Sequence, residues 1–229
     1  MKLSIIVPVL NEAACIGGAL AALDPLRRNG HEVIVVDGGS SDGTPELARN
    51  GAHRVLAAPR GRASQMNAAA RAASGEVFLF LHADTLLPAG ADRVIEAGLA
   101  ATNRAWGRFD VRIEGGSPVL PVVAWFMNLR SRASGIATGD QAMFVRRAAF
   151  ARVGGFPPLA LMEDVALSAR LRRLSPPLCI RERVVTSGRR WERHGVLRTI
   201  LLMWWLRFRF FLGAAPSRLA RSYRHGDRI

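Results

Sequence analysis

The sequence predicts an α/β protein with a mostly parallel central sheet. Short apolar runs rich in Ile and Val alternate along the first half of the chain with segments of helical character, the pattern of strands joined by crossover helices. Polar residues follow directly after three of these runs. Parallel strands end at one edge of a sheet, where this fold class binds ligands. The same pattern therefore predicts a fold and the place of its site.

The elements of the first half can be assigned in order. Residues 3–10 form a buried strand and residues 12–23 a helix. Glu32–Asp37 is a second strand, and the turn after it, rich in Gly, Ser and Asp, leads into a short helix that Thr44 can cap. The remaining predicted elements are a weak strand at Arg54–Ala57, a helix at Ala63–Ala73, a strand at Glu76–Leu81 and a helix at Asp92–Ala101.

The second half is less regular. Gly107–Gly115 alternates like a half-exposed strand, and Val119–Leu129 is an apolar helix. Residues 139–147 are predicted as a strand. Residues 162–174 are predicted as a helix that carries two acids in its first turn.

The composition limits the classes of protein to which this chain can belong. The 229 residues carry a net charge of +14, which points to polyanionic partners such as nucleic acid, anionic lipid or phosphorylated substrates. Acids at three strand ends would repel the phosphates of a nucleic acid, so that partner is disfavoured. Two cysteines are too few for a disulfide framework, which favours the cytoplasm. The N-terminus lacks the pattern of a signal peptide.

The region from 189 to 228 contains ten arginines, two acids and an apolar centre. Its longest uncharged piece, Thr199–Leu206, is eight residues, far below the ~20 that a membrane span needs. A helix packed on the sheet is one interpretation. We favour a segment at the membrane surface, with its aromatic rings in the interface and its arginines near lipid phosphates. That interpretation predicts a peripheral protein at the inner face of the cell membrane and suits a lipid-linked acceptor.

Several acids have both a structural and a chemical interpretation. Asp84, after the strand that ends in HAD, either caps a turn or binds a divalent cation together with substrate phosphates. Asp37 either closes an Asx-type turn or accepts a hydrogen bond from a base or ribose. Glu163 and Asp164 either stabilise the start of a helix or include a general base. The arginines of 187–195 form a basic surface or bind a diphosphate.

The glycine-rich turn DGGSSDGT excludes two common nucleotide motifs. It lacks the GK[ST] ending of a Walker A loop. It also lacks the GxGxxG spacing of a dinucleotide-binding loop.

Four segments resemble, in order and spacing over about residues 1–190, the successive motifs of the family 2 glycosyltransferases: SIIVPVLNE, VIVVDGGSSDGT, GEVFLFLHADT and GGFPPLALMEDVALSARL. The resemblance implies a Rossmann-like GT-A fold, a nucleotide-sugar donor, Mg²⁺ or Mn²⁺, and inversion at the anomeric carbon. The chain is also similar to a bacterial subgroup labelled as arsenosugar-biosynthesis-associated glycosyltransferases.

The resemblance also implies roles for individual residues. Asp84 resembles the last aspartate of the DxD motif, which binds the metal. Asp164 resembles the catalytic base of the ED pair, with Glu163 beside it. Asp37 resembles the aspartate that meets the nucleobase, for which uracil is expected and guanine is the alternative. The other nucleotide-binding residues that we predict are Pro8, Asn11, Glu12, Gly39, Arg62 and Arg190.

Two positions depart from the family pattern. His82 replaces the first aspartate of DxD, which leaves one carboxylate for the metal. Ser187 stands where the QxxRW motif, whose last two residues resemble Arg190 and Trp191, has glutamine. A protein that binds the donor without catalysis is therefore one alternative. A sugar nucleotidyltransferase is another, although an acid occupies the place of its phosphate loop.

The expected organisation is a glycosyltransferase domain at 1–190 followed by a C-terminal extension at 191–229 of basic and apolar helices. The nucleotide-binding half covers about 1–105 and the acceptor half about 106–190. A hexosyltransferase type of activity is expected.

Overall fold

The structure, a computed structural model, describes residues 1–225, with the side chains of all of these except residues 190, 194, 224 and 225. The described chain forms an eight-stranded sheet. Its strands are β1 (Leu3–Val9), β2 (Glu32–Asp37), β3 (Arg54–Ala57), β4 (Val77–Phe80), β5 (Thr85–Leu86), β6 (Trp106–Glu114), β7 (Phe144–Arg146) and β8 (Leu178–Ser187).

The strand order is β3-β2-β1-β4-β7-β6-β8-β5. Six strands run in one direction, and β5 and β7 are reversed. The predicted α/β architecture with a mostly parallel sheet is therefore confirmed.

The helices include all those predicted, close to their predicted places, and two short ones that were not predicted, at Asp24–Arg28 and Arg147–Arg152. They are α1 (Ala13–Ala22), α2 (Asp24–Arg28), α3 (Thr44–Ala48), α4 (Arg62–Ala72), α5 (Ala91–Ala101), α6 (Leu120–Ser134), α7 (Arg147–Arg152), α8 (Glu163–Arg172), α9 (Arg189–His194), α10 (Val196–Phe211) and α11 (Pro216–His225). A 3₁₀ turn covers Gly139–Gln141.

The first half of the sheet is covered on both faces. Ile5 and Val7 of β1 pack into one apolar cluster, and Ile6 packs into the cluster on the opposite face. Strands buried on both faces have continuous runs of apolar residues, which is why these strands could be predicted from the sequence. Pro8 is tolerated in this central strand because the pairing of β1 with β4 ends at Ile6.

Two predictions in the second half were wrong or missing. Only Phe144–Arg146 of residues 139–147 is a strand, since the segment begins in the 3₁₀ turn and ends in α7. Strand β8 was not predicted, although it pairs with both β6 and β5. Its middle residues are charged and exposed: Arg181, Glu182 and Arg183. They interrupt the alternation of apolar residues by which a strand is predicted.

The predicted cap of α3 also differs. The residue before the helix is Gly43, and Thr44 is the first helical residue. The Thr44 hydroxyl instead donates to Asp42 and accepts a hydrogen bond of 2.9 Å from the backbone N–H of Glu12. Thr44 therefore joins two loops rather than capping one helix.

Helix α10 has two different faces. Leu206, fully buried, packs with Met162, Val165 and Leu219 in a small third cluster. The opposite face exposes large apolar side chains, among them Trp204 at 66%. None of the helices within residues 1–225 combines the length and the apolar character that crossing a bilayer requires. The interpretation as a packed helix therefore describes the face that carries Leu206, and the membrane-surface interpretation stays a prediction for the exposed face.

We predict opposite effects of alanine at two glycines. A Cβ at Gly107 would lie 2.3 Å from the Leu178 carbonyl oxygen and 2.4 Å from the Phe144 ring. Gly107→Ala should therefore lower the free energy of unfolding by about 1–3 kcal/mol. The control, Gly17→Ala, lies in α1 with no atom within 4 Å and should raise it by about 0.5–1 kcal/mol. Urea denaturation measures both, and equal effects would contradict the close approach of β6 and β8.

Candidate active site

The loops after β1 and β2 are bonded to each other at the carboxyl edge of the sheet. The backbone N–H of Asn11 donates to the Ser40 hydroxyl at 2.8 Å, and the Asn11 side-chain oxygen accepts from the N–H of Ser41 at 2.9 Å. Asn11 has a left-handed backbone with φ of 55°, which asparagine tolerates better than most residues. The predicted meeting of these two strand ends is confirmed.

Glu12 holds the start of α1. Its carboxylate accepts a bond of 3.0 Å from the Cys15 thiol, and its carbonyl oxygen accepts the N–H groups of Cys15 and Ile16. Pro8 lies in β1, three residues before Asn11 of the following loop, and is half-buried and in register with Val36 of β2. The first predicted nucleotide loop is thus a fixed backbone turn.

Asp37 performs the structural one of its two predicted roles. One carboxylate oxygen accepts the N–H groups of Gly39 at 2.8 Å and Ser40 at 2.9 Å, and the other accepts the Ser40 hydroxyl. Gly39 has φ of 92°, a conformation that favours glycine. The buried carboxylate therefore shapes the turn, and a role toward a nucleobase stays a prediction.

Gln65 is a functional candidate that the sequence analysis missed. Its side-chain amide, buried in α4, donates to the carbonyl oxygens of Val9 at 2.8 Å and Val36 at 2.7 Å. Those carbonyls are at the ends of β1 and β2, so Gln65 fixes the spacing of the two loops. A glutamine in an alanine-rich helix gives no pattern by which this could be predicted.

Asp84 lies where β4, β5 and β8 come together. Its carbonyl oxygen accepts the Ser187 N–H at 3.2 Å, and the following strand β5 pairs with the end of β8. The only hydrogen bond recorded to the Asp84 carboxylate among the described residues is a long one, 3.4 Å, from the Thr85 hydroxyl. The carboxylate is partly exposed and has room for another partner.

His82 is not a free ligand. Its Nδ1 lies 3.3 Å from a carboxylate oxygen of Asp140, and its ring lies so close to Gly139 that a Cβ there would be 2.5 Å from Nε2. Burial acts to raise the pKa of Asp140, but the hydrogen bond and charge of His82, with the charges of Arg62 and Arg207, hold it below its usual value. Asp140 was not singled out in the sequence because residues 139–147 were predicted as a strand.

Asp164 is tied to the same turn. One of its carboxylate oxygens accepts the Gly139 N–H at 2.8 Å, and the other accepts the N–H of Val165 at 2.7 Å. The residue before the pair of acids, Met162, has φ of 66°, a strained conformation for a side chain of this size. The start of α8 is therefore held in an unusual geometry that presents Asp164 to the His82 side of the site.

Glu163 is buried, whereas Asp164 is partly exposed. Burial, reinforced by the negative charge of Asp164, raises the pKa of Glu163, although Arg62 and His82 act in the other direction. The two adjacent acids thus have different environments, which commonly separates their roles.

Arg62 connects the two parts of the site. It is the first residue of α4, the helix that carries Gln65. The residue is exposed to solvent, and the charges of Glu163, Asp140 and Asp164 raise the pKa of its guanidinium. One rigid helix therefore bonds the ends of β1 and β2 and brings a cation to the acids of α8.

Arg130 and Arg207 are two further groups near Asp164 that the motifs did not reveal. The charge of Arg207 on α10 acts on Arg130 of α6, and so does the charge of Asp164. The sequence analysis treated Arg207 only as an interruption of an apolar run. Helical periodicity places Arg207 opposite the exposed Arg198 and Arg209, which could have indicated that it faces the protein.

The side chain of Arg190 lies outside the described residues, so the structure does not place its guanidinium. The neighbouring Trp191 packs against the main apolar cluster. A groove of about 640 Å³ between β6 and α6 has none of the predicted site residues in its lining. The candidate site is therefore the edge beyond β1, β2 and β4 rather than this groove.

A divalent cation fits the site only with help from a ligand. Across the described side chains, no three His, Cys, Asp or Glu residues converge in a way that could hold a metal ion. Asp84 offers one available carboxylate, and magnesium is commonly held by one or two carboxylates together with substrate phosphates. The donor set thus fits a cation that arrives with a diphosphate.

Solved structures similar to the chain include glycosyltransferases of several kinds. One is the mannosyltransferase PcManGT from Pyrobaculum calidifontis in complex with GDP-Man and Mn²⁺, with 26% identity and a TM-score of 0.60 over 80% of this chain and 56% of that one. Another is TarS 1–349 of S. aureus in complex with UDP-GlcNAc, with 21% identity and a TM-score of 0.68 over 82% and 58%. The chain thus spans little more than half of these two proteins.

A third is glucosyl-3-phosphoglycerate synthase from Mycobacterium tuberculosis in complex with Mn²⁺, UDP and glucosyl-3-phosphoglycerate, with 20% identity and a TM-score of 0.59 over 81% of this chain and 70% of that one. None of the curated proteins matches the sequence. The family profile described as Glycosyl transferase family 2 matches residues 4–154, from β1 to beyond α7. The fold is that of the GT-A glycosyltransferases, and the chain belongs to glycosyltransferase family 2.

Proposed function

We propose that the protein is an inverting glycosyltransferase, of the hexosyltransferase type, that moves a sugar from a UDP-sugar to a hydroxyl acceptor. The observation that carries this proposal is the bond of 2.8 Å from the Gly139 N–H to Asp164. It holds a candidate base beside the strand end that carries His82 and Asp84. Two similar proteins are complexed with UDP-GlcNAc or with UDP and Mn²⁺, and one with GDP-Man and Mn²⁺, which supports a nucleotide donor and leaves GDP as the alternative.

The nucleotide would lie along the bonded loops after β1 and β2. These loops contain Pro8, Asn11, Glu12, Asp37 and Gly39. The Asp37 carboxylate already accepts three hydrogen bonds, and a carboxylate has about four acceptor positions. It can therefore accept the N3–H of uracil without breaking the turn. Arg62 and Arg190 are the proposed cationic partners of the diphosphate.

Asp84 is the residue that would hold a divalent cation. Bound Mg²⁺ or Mn²⁺ supplies positive charge to the departing diphosphate, which lowers the energy of the leaving group. His82 and Asp140 contribute by keeping the turn at Gly139 in place. The arrangement agrees with a single metal-binding carboxylate, because His82 is already bound to Asp140.

Asp164 would act on the acceptor. The acceptor hydroxyl gives its proton to a carboxylate oxygen of Asp164 while its oxygen forms a bond to the anomeric carbon. The bond from that carbon to the diphosphate oxygen breaks, and the electron pair leaves with the nucleoside diphosphate. One displacement inverts the anomeric centre.

A protein that binds the donor without catalysis is the second candidate. The observation that favours it is the replacement of the first DxD aspartate by His82, which is committed to Asp140. Donor turnover distinguishes this candidate from the enzyme.

The exposed face of α10 would lie at a membrane surface, as a peripheral contact on the cytoplasmic side. Large apolar side chains on this face are mostly exposed, including Leu201, Trp204, Phe208 and Phe211. Clustered exposed apolar surface marks an interaction site. Aromatic rings beside arginines suit the interface of an anionic bilayer, and that position would bring a lipid-linked acceptor to Asp164.

We predict that Asp84→Ala weakens Mn²⁺ binding by about tenfold or more when UDP is present, because the residue is the proposed protein ligand. Electron paramagnetic resonance of free Mn²⁺ measures the effect, with GDP in a parallel series. Asp24→Ala, which removes a distant acid paired with Arg27, is the control. Equal Mn²⁺ binding by the wild type and Asp84→Ala would contradict the assignment.

We predict that Asp164→Asn lowers kcat by ~10²-fold or more while it spares donor affinity, since a general base acts only in the chemical step. Release of UDP from a panel of UDP-hexoses gives kcat, and calorimetry gives UDP affinity. Glu163→Gln is the matched control and should have a milder effect. Near-normal turnover of Asp164→Asn would refute the role, and a wild type without turnover would favour the second candidate.

We predict that Glu163→Gln makes stability less dependent on pH. The raised pKa of Glu163 means that the folded state binds the proton more tightly than the unfolded state. The stabilisation is present below the unfolded pKa and is lost as the pH rises through the folded pKa. Glutamine stays neutral at both pH values. At pH 7 the variant should therefore be more stable than the wild type by ~1 kcal/mol, which raises the Tm by about 2–4 °C. At pH 4 the two proteins should have nearly the same Tm. A constant difference across this range would contradict the assignment.

We predict that the double change Trp204→Ser and Phe208→Ser strongly weakens binding to anionic liposomes at low salt, because it deletes two of the proposed interfacial rings while leaving the buried face of α10 intact. Co-sedimentation with vesicles of phosphatidylglycerol and phosphatidylcholine measures it. Leu47→Ser, an exposed apolar residue of α3, is the control. If the wild type stays in the supernatant, the membrane contact is wrong.

A further inference from the structure

Arg130 is a partly buried cation whose hydrogen-bonding groups are incompletely used. Its Nη1 donates to the Ile136 carbonyl oxygen at 3.4 Å. Its Nε and Nη2 are buried, and neither has a hydrogen-bond partner within the described part of the chain. Burying a polar group without a partner is costly. A group of this kind calls for an explanation, and a missing ligand is one.

The charges around Arg130 increase that cost. Burial first, and then the charge of Arg207, lowers the pKa of Arg130 to about 10. Asp164 acts in the opposite direction, and Arg108 adds a further lowering. Arg108 is paired with Asp110, a carboxylate that it shares with Arg132. The other two positive charges, those of Arg130 and Arg207, act on the acids Asp164 and Asp140.

Packing fixes the helix that carries Arg207. Its neighbour Leu206 is fully buried and packs with Met162, Val165 and Leu219. Arg207 is half-buried on this side of α10, and its charge also acts on Asp140. Two arginines from different helices are thus held beside Asp164 before any ligand binds, which is the preorganisation that favours affinity.

We propose that Arg130 and Arg207 bind a phosphate group carried by the sugar acceptor. The guanidinium fork matches a phosphate through two parallel N–H···O bonds, and the two unpartnered donors of Arg130 are available for them. The identification as an acceptor site rests on the proposed function, in which Asp164 contacts the acceptor hydroxyl.

The donor diphosphate is the main competitor for this pair of arginines. The proposed partners of the diphosphate are Arg62 and a divalent cation held by Asp84. The charge of Asp164, the proposed base, acts on Arg130 and also on Arg62. Separate affinity measurements distinguish the two ligands, because a change at Arg130 should weaken phosphate binding and leave UDP binding unchanged.

The test is a calorimetric titration of glycerol 3-phosphate into the full-length protein. UDP affinity is measured first and alone, so that a failure of UDP to bind is recognised as a failure of the proposed function. The anion is then titrated with UDP and Mg²⁺ present, and again without them. A parallel titration with citronellyl phosphate, a soluble isoprenoid phosphate, distinguishes a small acceptor from a lipid-borne one.

At least one of the two phosphate compounds should bind, with a stoichiometry of one molecule per chain. Arg130→Gln and Arg207→Gln should each weaken its binding by about tenfold or more, with UDP affinity unchanged. Arg209→Gln, an exposed arginine on the same helix as Arg207, is the matched control and should bind as the wild type does. The proposal is overturned if neither phosphate compound binds, if Arg209→Gln loses as much affinity as Arg207→Gln, or if UDP affinity falls together with phosphate affinity.

A stability measurement separates a binding role from a structural one. Arg130→Met removes a buried charge that lacks partners, so it should raise the Tm of the ligand-free protein while phosphate binding is lost. An arginine that supported the fold would lower the Tm when replaced. A lower Tm together with unchanged phosphate binding would overturn the proposal.

Discussion

The candidate site depends on one backbone hydrogen bond, from the Gly139 N–H to the carboxylate of Asp164. Gly139 is also the residue against which the His82 ring packs, at a distance that leaves no room for a Cβ. The end of β4, the 3₁₀ turn and the start of α8 therefore meet at a single glycine. Because His82 pairs with Asp140 in the same turn, any movement of the turn would change the donor edge and the proposed base together.

Helix α10 stabilises this junction from outside the core sheet. Met162 has a left-handed backbone, a conformation that costs about 1–3 kcal/mol and persists only where its surroundings hold it. Leu206 and Leu219 pack on Met162 and provide that support. The same helix brings Arg207 to the site and leaves Trp204 exposed on its other side. One short segment can therefore couple a surface contact to the geometry of the acids.

Much of the fold was predictable because buried strands and amphipathic helices leave a pattern in the sequence. Strands β1, β2 and β4 were located by their apolar runs, and the shared edge followed from their parallel order. Strand β8 was missed because a charged run interrupts it, and Asp140 was misassigned because local sequence does not distinguish a 3₁₀ turn from a strand end. Arg62 was predicted, but Arg130 and Arg207 were missed for another reason: which charges meet beside Asp164 depends on packing between distant helices, and helical spacing gives at most the face on which Arg207 lies.

The large positive charge of the chain is partly structural. Several arginines donate to carbonyl oxygens at helix C-termini, where a cation is favoured; these are Arg54 and Arg147 at the end of α4, Arg146 near the end of α5 and Arg172 at the end of α6. Arg108 and Arg132 share Asp110. Arginines that are bonded within the fold in this way account for part of the net charge without a polyanionic partner. Arg130 differs, because two of its buried donors, Nε and Nη2, lack partners among the described residues and the charge of Arg207 acts against it. Arg27 and Arg108 each leave only Nε without a partner, and both are paired with an acid. This contrast, rather than the net charge, points to an anionic ligand beside Asp164.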